Sequence, residues 1–343
     1  MVKANAYGHG AVTVAQTLVG LGADYLAVAS LSEALELRRA GIAAPILILG
    51  WTPGEHAGEL VEHNLTQTVC DLETARAYSA AAQALGKPLT VHVKADTGMG
   101  RLGFVGENQA ADILSLRNLP GLTLEGIFTH FSDADGDEAY TMAQFTGFLK
   151  LIDHLKAQGL TFSICHCAAS SAVLHYPCTH LDMVRPGIAL YGHYPDPESV
   201  GLVEDGLRPV MRLKTRVAAV RCLPAGSAIS YGRTRILTRN SRLAVLPVGY
   251  ADGLPRTLSN AMEVAFPSGR APLMGRVCMD LCMVDVTALP EVRQGDVAEV
   301  FGAALPAEEK AAAAGTISYE LLTAVAPRVP RVYLHPAGQG GIQ

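Results

Sequence analysis

The sequence predicts an α/β fold: a (β/α)8 TIM-type barrel at residues 1–192, followed by a mostly β C-terminal domain at residues 207–343. Three observations lead to this prediction. Short apolar runs alternate with helical patterns up to residue 192, strand-like runs dominate after residue 207, and a segment rich in Pro, Gly and acidic residues at 193–206 reads as a linker. Alternating strands and helices are typical of a parallel sheet, and eight strands fit a barrel. Periodicity alone leaves an open doubly wound sheet as the alternative.

The first domain contains eight strand-like apolar runs with helical patterns between them. These runs are residues 2–4, 25–29, 46–49, 66–69, 89–95, 122–130, 162–166 and 183–185. The clearest helix is predicted at 138–158, where apolar side chains recur every three or four residues. Another helix is predicted after Ser30, because Ser30 and Glu33 have the spacing of a capping box.

The second domain is predicted to be built mainly from strands. Strand-like runs at 212–220, 243–248, 262–266 and 297–301 are separated by Pro-Ala-Gly, Ala-Asp-Gly and Pro-Ser-Gly turn signals. Only residues 308–314 and 318–325 are predicted to be helical.

Charge and composition exclude several classes of protein. The 27 basic and 32 acidic residues give a net charge of -5, which does not suit nucleic-acid binding. No apolar run approaches the ~18 residues that a membrane span needs, and no export signal opens the chain, so we expect a cytoplasmic protein.

Seven scattered cysteines suit free thiols in a reducing compartment. A metal site built on Cys165, His166 and Cys167 lacks the usual zinc-ligand spacing, so we expect no metal and interpret the cysteines as small buried hydrophobic residues.

Polar residues follow several of the predicted barrel strands. They are Lys3, Lys94, Asp96, Arg101, His130, His166, Ser170 and Arg185. Carboxyl ends of barrel strands share one rim, so these cations, imidazoles and the serine predict an anion site, with a phosphate near strands seven and eight. A lysine in such a site favours Schiff-base chemistry with pyridoxal phosphate, which composition alone does not establish.

Eight sequence blocks, in order along the chain, resemble those of alanine racemases. They are VKANAYGHG at 2–10, VKADTGMGRLG at 93–103, FTHFS at 128–132, VRPGIALYG at 184–192, ISYGR at 229–233, VGYADG at 248–253, GRVCMD at 275–280, and Tyr319 with Glu320. One block alone would be weak, but eight in order across both predicted domains are specific.

The resemblance implies a pyridoxal 5'-phosphate enzyme that interconverts L-alanine and D-alanine, supplying D-alanine for peptidoglycan. Lys3 would attach the cofactor and act as one base, and Tyr231 would be the other. Two bases on opposite faces suit racemisation. In the family pattern His130 links the tyrosine to Arg185, and the guanidinium of Arg185 faces the pyridine nitrogen. Related barrel decarboxylases place a carboxylate there, so arginine favours a racemase.

The resemblance also assigns the groups that hold the cofactor phosphate. These would be Tyr7, Ser170, Gly187, Ile188 and Tyr319. One departure is that the family often has Asn-Ser where this chain has Ala168-Ala169-Ser170-Ser171, so Ser171 is the alternative to Ser170.

Arg101 and the backbone of Met279 would bind the substrate carboxylate, since a guanidinium suits a planar anion. Lys94, which is carbamylated in the family, would position Arg101. The supporting and substrate-access residues would be Asp280, Tyr250, Arg256 and Arg276.

The family forms head-to-tail homodimers in which the partner subunit supplies Tyr231, Met279 and the access residues. Its members also carry a strand and helix before the lysine block, so we expect this chain to lack most of its first strand. If that stretch is truly absent, we expect an open barrel wall, poor cofactor retention and low activity.

Two other interpretations of the function remain open. Within the same fold, a broad-specificity, serine or lysine racemase is the alternative. A non-catalytic cofactor-binding or interaction protein is a further alternative, against which the presence of both Lys3 and Tyr231 argues.

Overall fold

The computed structural model describes residues 1–334. Its contacts divide the chain into two compact units. The first contains Met1–Ala6 and Ala11–Arg208, and the second contains Tyr7–Gly10 and the described residues from Pro209 onward. The short segment Tyr7–Gly10 therefore packs with the C-terminal unit, although its sequence neighbours on both sides belong to the first.

A curled parallel sheet of six strands forms the centre of the first unit. The strands are β1 (Leu26–Val28), β2 (Ile46–Ile48), β3 (Thr66–Val69), β4 (Leu89–Lys94), β5 (Leu122–Phe128) and β6 (Ile164–His166). They pair in sequence order from β1 to β6. A doubly wound sheet reverses its strand order at a switch point. This sheet has no reversal, so the order contradicts the doubly wound alternative and agrees with a barrel-type fold.

The outermost predicted runs, 2–4 and 183–185, do not form strands, so the prediction of eight strands was wrong at its two ends. In the first run, the Val2 N–H donates to the Ala27 carbonyl oxygen at 2.9 Å. The run does not continue as a strand, because Ala4 has a left-handed backbone conformation. From the last run, Arg185 forms an isolated parallel bridge with Ala169.

Seven helices lie along the first unit. They are α1 (Ala11–Gly20), α2 (Leu31–Arg39), α3 (Ala57–Glu62), α4 (Leu72–Leu85), α5 (Gln109–Ser115), α6 (Glu138–Ala157) and α7 (Ser170–His175). Helix α6 matches the predicted helix at 138–158. At the start of α2, Ser30 Oγ accepts the Glu33 N–H at 3.4 Å, which confirms the predicted cap. The reciprocal bond differs, because Glu33 accepts from the Ala29 N–H at 2.7 Å.

The second unit is mostly β, as predicted. Its strands are β7 (Leu213–Arg216), β8 (Ala219–Leu223), β9 (Ala228–Ile229), β10 (Arg235–Ile236), β11 (Ser241–Leu246), β12 (Glu263–Phe266), β13 (Gly269–Pro272), β14 (Cys282–Asp285) and β15 (Val297–Phe301). They form sheets in the orders β10–β9, β14–β11–β8 and β13–β12–β15–β7. The predicted run 212–220 is two strands, because β7 and β8 belong to different sheets.

Two helices complete the second unit, α8 (Ala307–Ala314) and α9 (Ser318–Thr323). Ile229, Leu237, Leu243 and Met274 form a buried apolar cluster on which Leu223 and Met283 pack.

The cysteines follow the prediction only in part. Cys70, Cys167 and Cys282 are buried, but Cys178 and Cys222 are exposed, so burial was a wrong prediction for these two. Across residues 1–334, no group of three or more His, Cys, Asp or Glu side chains has a metal-binding arrangement. None of the helices in this range combines the length and apolar composition that a membrane crossing requires.

Helix α6 provides a matched test of its packing. Phe148 is fully buried and the neighbouring Leu149 is 36% exposed. Phe148→Ala should lower the free energy of unfolding by about 3–5 kcal/mol, because it leaves a cavity, whereas Leu149→Ala should cost less than about 1 kcal/mol. Urea unfolding of both variants measures the difference, and equal losses would contradict the assigned burial.

Candidate active site

Lys3 lies at the start of a strained left-handed turn. Ala4, Asn5, Ala6 and Tyr7 all have φ between 51° and 54°. Each non-glycine residue in this region costs roughly 1–2 kcal/mol, so the turn persists only if other groups hold it. Glu33 Oε1 accepts the Ala4 N–H at 2.6 Å, and Asn5 Oδ1 accepts the Ala11 N–H at 2.8 Å. These bonds fix the backbone that carries the Lys3 side chain.

The surroundings of Lys3 lower the pKa of its amine and so increase the neutral fraction. Burial lowers the pKa of Lys3, the cations Arg101 and Arg185 lower it further, and Glu33 acts in the opposite direction. A neutral amine is both a nucleophile and a base, while a protonated one is neither.

Arg185 is the centre of the polar network in the first unit. It is only 5% exposed. Its Nη1 lies 2.7 Å from His166 Nδ1, and its Nη2 lies 3.1 Å from His130 Nδ1. Nη2 also lies 3.0 Å from the Thr129 carbonyl oxygen and 2.9 Å from the Cys167 carbonyl oxygen, so its two N–H groups are shared among three acceptors. Burial lowers the pKa of Arg185 to about 10, so the guanidinium remains charged at neutral pH.

Arg185 determines the protonation of the two imidazoles that it contacts. A guanidinium only donates hydrogen bonds, so Nδ1 of His130 and Nδ1 of His166 must both accept. Burial, together with Arg185 and other cations, lowers the pKa of His130 to about 3. His130 is therefore neutral and carries its proton on Nε2.

Lys94 ends strand β4 and is almost fully buried, at 4% exposure. Its Nζ lies 5.7 Å from the centroid of the Phe128 ring, and the Arg185 guanidinium carbon lies 5.3 Å from the same centroid. Burial is the main cause that lowers the pKa of Lys94, and Arg101 and Arg185 lower it further.

The exposed Arg101 lies on a loop folded around Asp96. The Asp96 carboxylate accepts the N–H groups of Gly98 at 2.9 Å, Met99 at 2.8 Å and Arg101 at 3.1 Å. Burial alone would raise the pKa of Asp96, but these backbone bonds outweigh it and hold the pKa below its ordinary value. Gly103 closes the loop at φ 119°, where an added Cβ would lie 2.7 Å from the Lys94 carbonyl oxygen.

The two candidate phosphate serines have different hydrogen-bond partners. Ser170 Oγ is buried and accepts the N–H of Gly187 at 2.8 Å and that of Ala189 at 3.3 Å, so its hydroxyl hydrogen can point elsewhere. Ser171 Oγ instead donates to the Ala134 carbonyl oxygen at 2.9 Å. Ser170 therefore has the geometry of a donor to a ligand, beside the turn at Gly187 and Ile188.

Tyr7 and Tyr319 come together in the second unit, with ring centroids 6.1 Å apart. Burial raises the pKa of Tyr7 to about 12. The Arg331 guanidinium donates two hydrogen bonds to the Gly8 carbonyl oxygen, at 3.0 and 3.1 Å, and Tyr333 donates to the His9 carbonyl oxygen at 3.0 Å. The Tyr7 segment is thus held by residues near the C-terminal end of the described chain.

Three sequence blocks of the second unit contact one another. Ser230 Oγ donates to the Arg276 carbonyl oxygen at 2.7 Å, which joins the Tyr231 block to the Met279 block. The Tyr250 N–H donates to the Cys278 carbonyl oxygen at 3.0 Å. Arg328 donates to Asp280 and to Asp252, each at 2.7 Å, and so connects the block at 275–280 to the block at 248–253.

Tyr231 and Met279 are strongly exposed in this single chain, at 71% and 53%. Tyr250 is also exposed, and Arg256 lies on a short 3-10 helix, Arg256–Leu258.

The predicted site residues therefore fall into two groups. The first unit contains Lys3, Lys94, Arg101, His130, His166, Ser170, Arg185, Gly187 and Ile188, and the second contains Tyr7, Tyr231, Tyr250, Arg256, Arg276, Met279, Asp280 and Tyr319. The sequence did not indicate that Glu33 supports the Lys3 turn, or that His92 and Glu125 extend the network behind His166. A polar residue inside an apolar strand was the available signal for His92.

Both units match family models. The model described as alanine racemase, N-terminal domain, matches residues 1–195, and that described as alanine racemase, C-terminal domain, matches residues 210–333. The alanine racemase of Desulforamulus reducens is 48% identical over 340 residues, which cover 97% of this chain and 91% of that protein. The alanine racemase of Methanococcus maripaludis is 46% identical over 341 residues, which cover 98% of this chain and 91% of that protein.

Solved structures give the same result. The alanine racemase of Clostridium difficile 630 superposes with a TM-score of 0.92 at 40% identity, covering 97% of this chain and 87% of that one. The alanine racemase of Bacillus anthracis, solved with bound L-Ala-P, superposes with a TM-score of 0.92 at 36% identity, covering 98% of this chain and 88% of that one.

The buried imidazoles predict a pH dependence of stability. The pKa values of His92, His130 and His166 all lie below the ordinary 6.5 in the folded chain, with burial as the main cause. In the unfolded chain these imidazoles become protonated near pH 6.5. The free energy of unfolding should therefore be highest above that pH. It should fall below pH 6.5, by up to about 1.4 kcal/mol per pH unit for each group. Urea unfolding between pH 7.5 and 5 measures this loss.

The matched control for this prediction is His154→Gln, since His154 is exposed on α6. This variant should show the same pH dependence as the parent chain. A stability that stays constant from pH 7.5 to 5 would contradict neutral imidazoles in the folded state.

Proposed function

The chain belongs to the alanine racemase family, and on this premise we propose that Lys3 and Tyr231 are the two bases with which it interconverts L-alanine and D-alanine. The family uses pyridoxal phosphate, and its product D-alanine serves peptidoglycan synthesis. The observation that carries the assignment is the environment of Lys3, a half-buried amine whose pKa is lowered by burial and by the cations Arg101 and Arg185.

The donor groups of the first unit fit pyridoxal phosphate. The Lys3 amine suits the aldehyde, the Ser170 hydroxyl suits the phosphate, and the Arg185 guanidinium suits the ring nitrogen. Gly187, Ile188, Tyr7 and Tyr319 complete the proposed set. When bound, the cofactor ring accepts electron density from the α-carbon of the amino acid and so acidifies the α-proton.

Arg185 limits how strongly that ring withdraws electrons. A guanidinium only donates hydrogen bonds and remains charged, so next to the ring nitrogen it would disfavour a proton on that nitrogen. Two imidazoles and two carbonyl oxygens hold the guanidinium in place. This arrangement favours proton removal and return over side chemistry that needs a protonated ring.

The two bases act on opposite faces of the α-carbon. Lys3 takes or returns the proton on one face, and Tyr231 does so on the other. In the proposed head-to-tail homodimer, Tyr231 comes from the partner subunit, and its 71% exposure in a single chain is consistent with a role in a neighbouring site. His130 is neutral with a proton on Nε2, so it can donate to the phenolate form of the tyrosine while Arg185 supplies the positive charge behind it.

Arg101 and the Met279 backbone bind the substrate carboxylate in this proposal, with Tyr250, Arg256, Arg276 and Asp280 around the access path. Lys94 supports Arg101 as a carbamate. A lowered pKa leaves more of the Lys94 amine neutral and able to react with carbon dioxide. The resulting anion would be an attractive partner for the Arg101 guanidinium.

We place the enzyme in the cytoplasm, since seven free cysteines, two of them exposed, suit a reducing compartment. The (β/α)8 TIM-type architecture is likewise part of the proposal: six of its strands form the described sheet, and Val2 and Arg185 each make one bond beyond the edges of that sheet instead of a regular strand.

Cofactor attachment provides the direct test of Lys3. Borohydride reduction of the holoenzyme, followed by peptide mapping, should place the reduced cofactor on Lys3. A label on any other lysine, or on none, would reject the assignment.

The second base is tested by Tyr231→Phe. Loss of a general base costs about 10²–10⁴-fold, so racemisation should fall at least a hundredfold. Exchange of the α-proton with deuterated solvent should persist for one enantiomer, because Lys3 remains. Tyr176→Phe, a change outside the proposed site, is the control and should behave like the parent enzyme. Undiminished racemisation by Tyr231→Phe would refute the two-base scheme.

Mixing two inactive variants tests the shared site. A heterodimer of Lys3→Ala and Tyr231→Phe subunits has one site with both bases intact if the bases come from different subunits. Random mixing makes half of the dimers mixed, so about a quarter of the parent activity should return. If the mixture stays inactive although mixed dimers form, the bases belong to the same subunit.

A further inference from the structure

A line of hydrogen-bonded polar side chains runs from Arg185 through the core of the first unit, away from His130. Arg185 Nη1 lies 2.7 Å from His166 Nδ1, His166 Nε2 lies 2.9 Å from His92 Nδ1, and His92 Nε2 lies 3.0 Å from Glu125 Oε2. The Tyr25 hydroxyl donates to the same Glu125 oxygen at 2.7 Å. Both imidazoles are fully buried.

The obligate donor Arg185 at one end and the Glu125 carboxylate at the other require the same direction for every bond in this line. Arg185 only donates, so His166 accepts on Nδ1. Burial lowers the pKa of His166 and of His92, which keeps both rings neutral with one N–H each. His166 must then donate from Nε2 to His92 Nδ1, and His92 must donate from Nε2 to Glu125. The line is satisfied throughout only when Glu125 accepts.

Glu125 is also the place where the line reaches solvent. Its side chain is 30% exposed, whereas that of His92 is fully buried. The carboxylate oxygen that accepts from His92 also accepts from Tyr25, whose hydroxyl lies 2.8 Å from Thr66 Oγ1. An anion is therefore held at the far end of a line that begins at a buried cation.

The backbone is adapted to this line. The pairing of β4 with β5 shifts register between Val91 and His92, an irregularity of the kind that re-aims a side chain. Gly126 follows Glu125, and a Cβ there would lie 2.6 Å from the His92 ring. The Phe128 ring stacks on His166 with centroids 4.8 Å apart. Barrel interiors are normally filled by layers of apolar side chains. A fully hydrogen-bonded line of polar side chains in the core therefore indicates a functional role.

We propose that Glu125 is a positioning residue for racemisation: through His92 and His166 it fixes the direction of the hydrogen bonds that hold the Arg185 guanidinium in place. The inference rests on the proposed function, in which Arg185 faces the cofactor ring. With a residue at position 125 that can also donate, Arg185 alone opposes a reversal of the protons of the His92–His166 pair, and in the reversed form His166 presents an N–H to Arg185. Two donors would face each other, and the guanidinium would lose its anchor.

Glu125→Gln tests this role in the full-length holoenzyme. The amide has the size of the carboxylate, but it has no charge and can also donate, so it no longer enforces one direction. In the parent enzyme, nitrogen-15 spectra of labelled histidine should show His92 and His166 protonated on Nε2 alone. In Glu125→Gln the ring-nitrogen shifts should move toward a mixture of the two tautomers. We expect kcat for alanine to fall roughly tenfold with KM within about twofold, which corresponds to an activation barrier higher by about 1.4 kcal/mol.

Two further variants make the test specific. Tyr25→Phe removes the other donor to Glu125 but keeps the charge, so it should retain the parent tautomers and a kcat within about twofold of the parent value. Glu125→Asp keeps the acceptor on a shorter side chain, so it should retain the tautomers and lose less kcat than Glu125→Gln. Circular dichroism confirms that each variant is folded.

Unchanged ring-nitrogen shifts in folded Glu125→Gln, or an unchanged kcat, would each overturn the proposal. Failure of the proposed function has a different signature, because the parent enzyme itself would then not racemise alanine or would not carry the cofactor on Lys3. The tautomer measurement on the parent chain does not depend on either result.

Discussion

The buried guanidinium of Arg185 is the constraint on which the rest of the first unit's polar core depends. A cation in this position is tolerated only if its N–H groups are satisfied, and here two imidazoles and two carbonyl oxygens accept from it. Arginine cannot accept in return, so every neighbour must be an acceptor. Strands β5 and β6 end where they can supply those acceptors, and the charge of Arg185 helps to lower the pKa of both Lys3 and His130.

The strained turn that follows Lys3 is stabilised by the side chain of Glu33. The left-handed turn from Ala4 to Tyr7 is unfavourable by itself, and the Glu33 carboxylate compensates by accepting backbone N–H groups from Ala4 and Ala29. Glu33 also opposes the cations that lower the Lys3 pKa. One side chain thus stabilises the backbone of the site and moderates its electrostatics, as expected where local strain is stored at a functional position.

Hydrophobic periodicity and capping patterns were sufficient to predict several helices and strands. Strands β1 to β6, helix α6 and the Ser30 cap were predicted because apolar periodicity and capping are properties of neighbouring residues. Residues 2–4 were wrongly predicted as a strand. The left-handed turn from Ala4 to Tyr7 contains no glycine, so no signal for it was present in the sequence. His92 and Glu125 were not assigned a role, because their partners are distant in sequence and chosen by strand register. The roles of Tyr231 and Met279 came from the family resemblance, since an exposed residue has no local pattern that indicates catalysis.

The Tyr7–Gly10 segment imposes an order on biosynthesis. Its carbonyl at Gly8 is bound by Arg331, 323 residues later in the chain, and Gly8 itself packs against the backbone of Leu322. A ribosome adds residues 7–10 long before it adds those partners, so the segment must wait until Leu322 and Arg331 have been translated. Tyr7 therefore reaches its final place beside Tyr319 only after residue 319 has been translated, and a nascent chain stalled before that residue cannot assemble this part of the molecule.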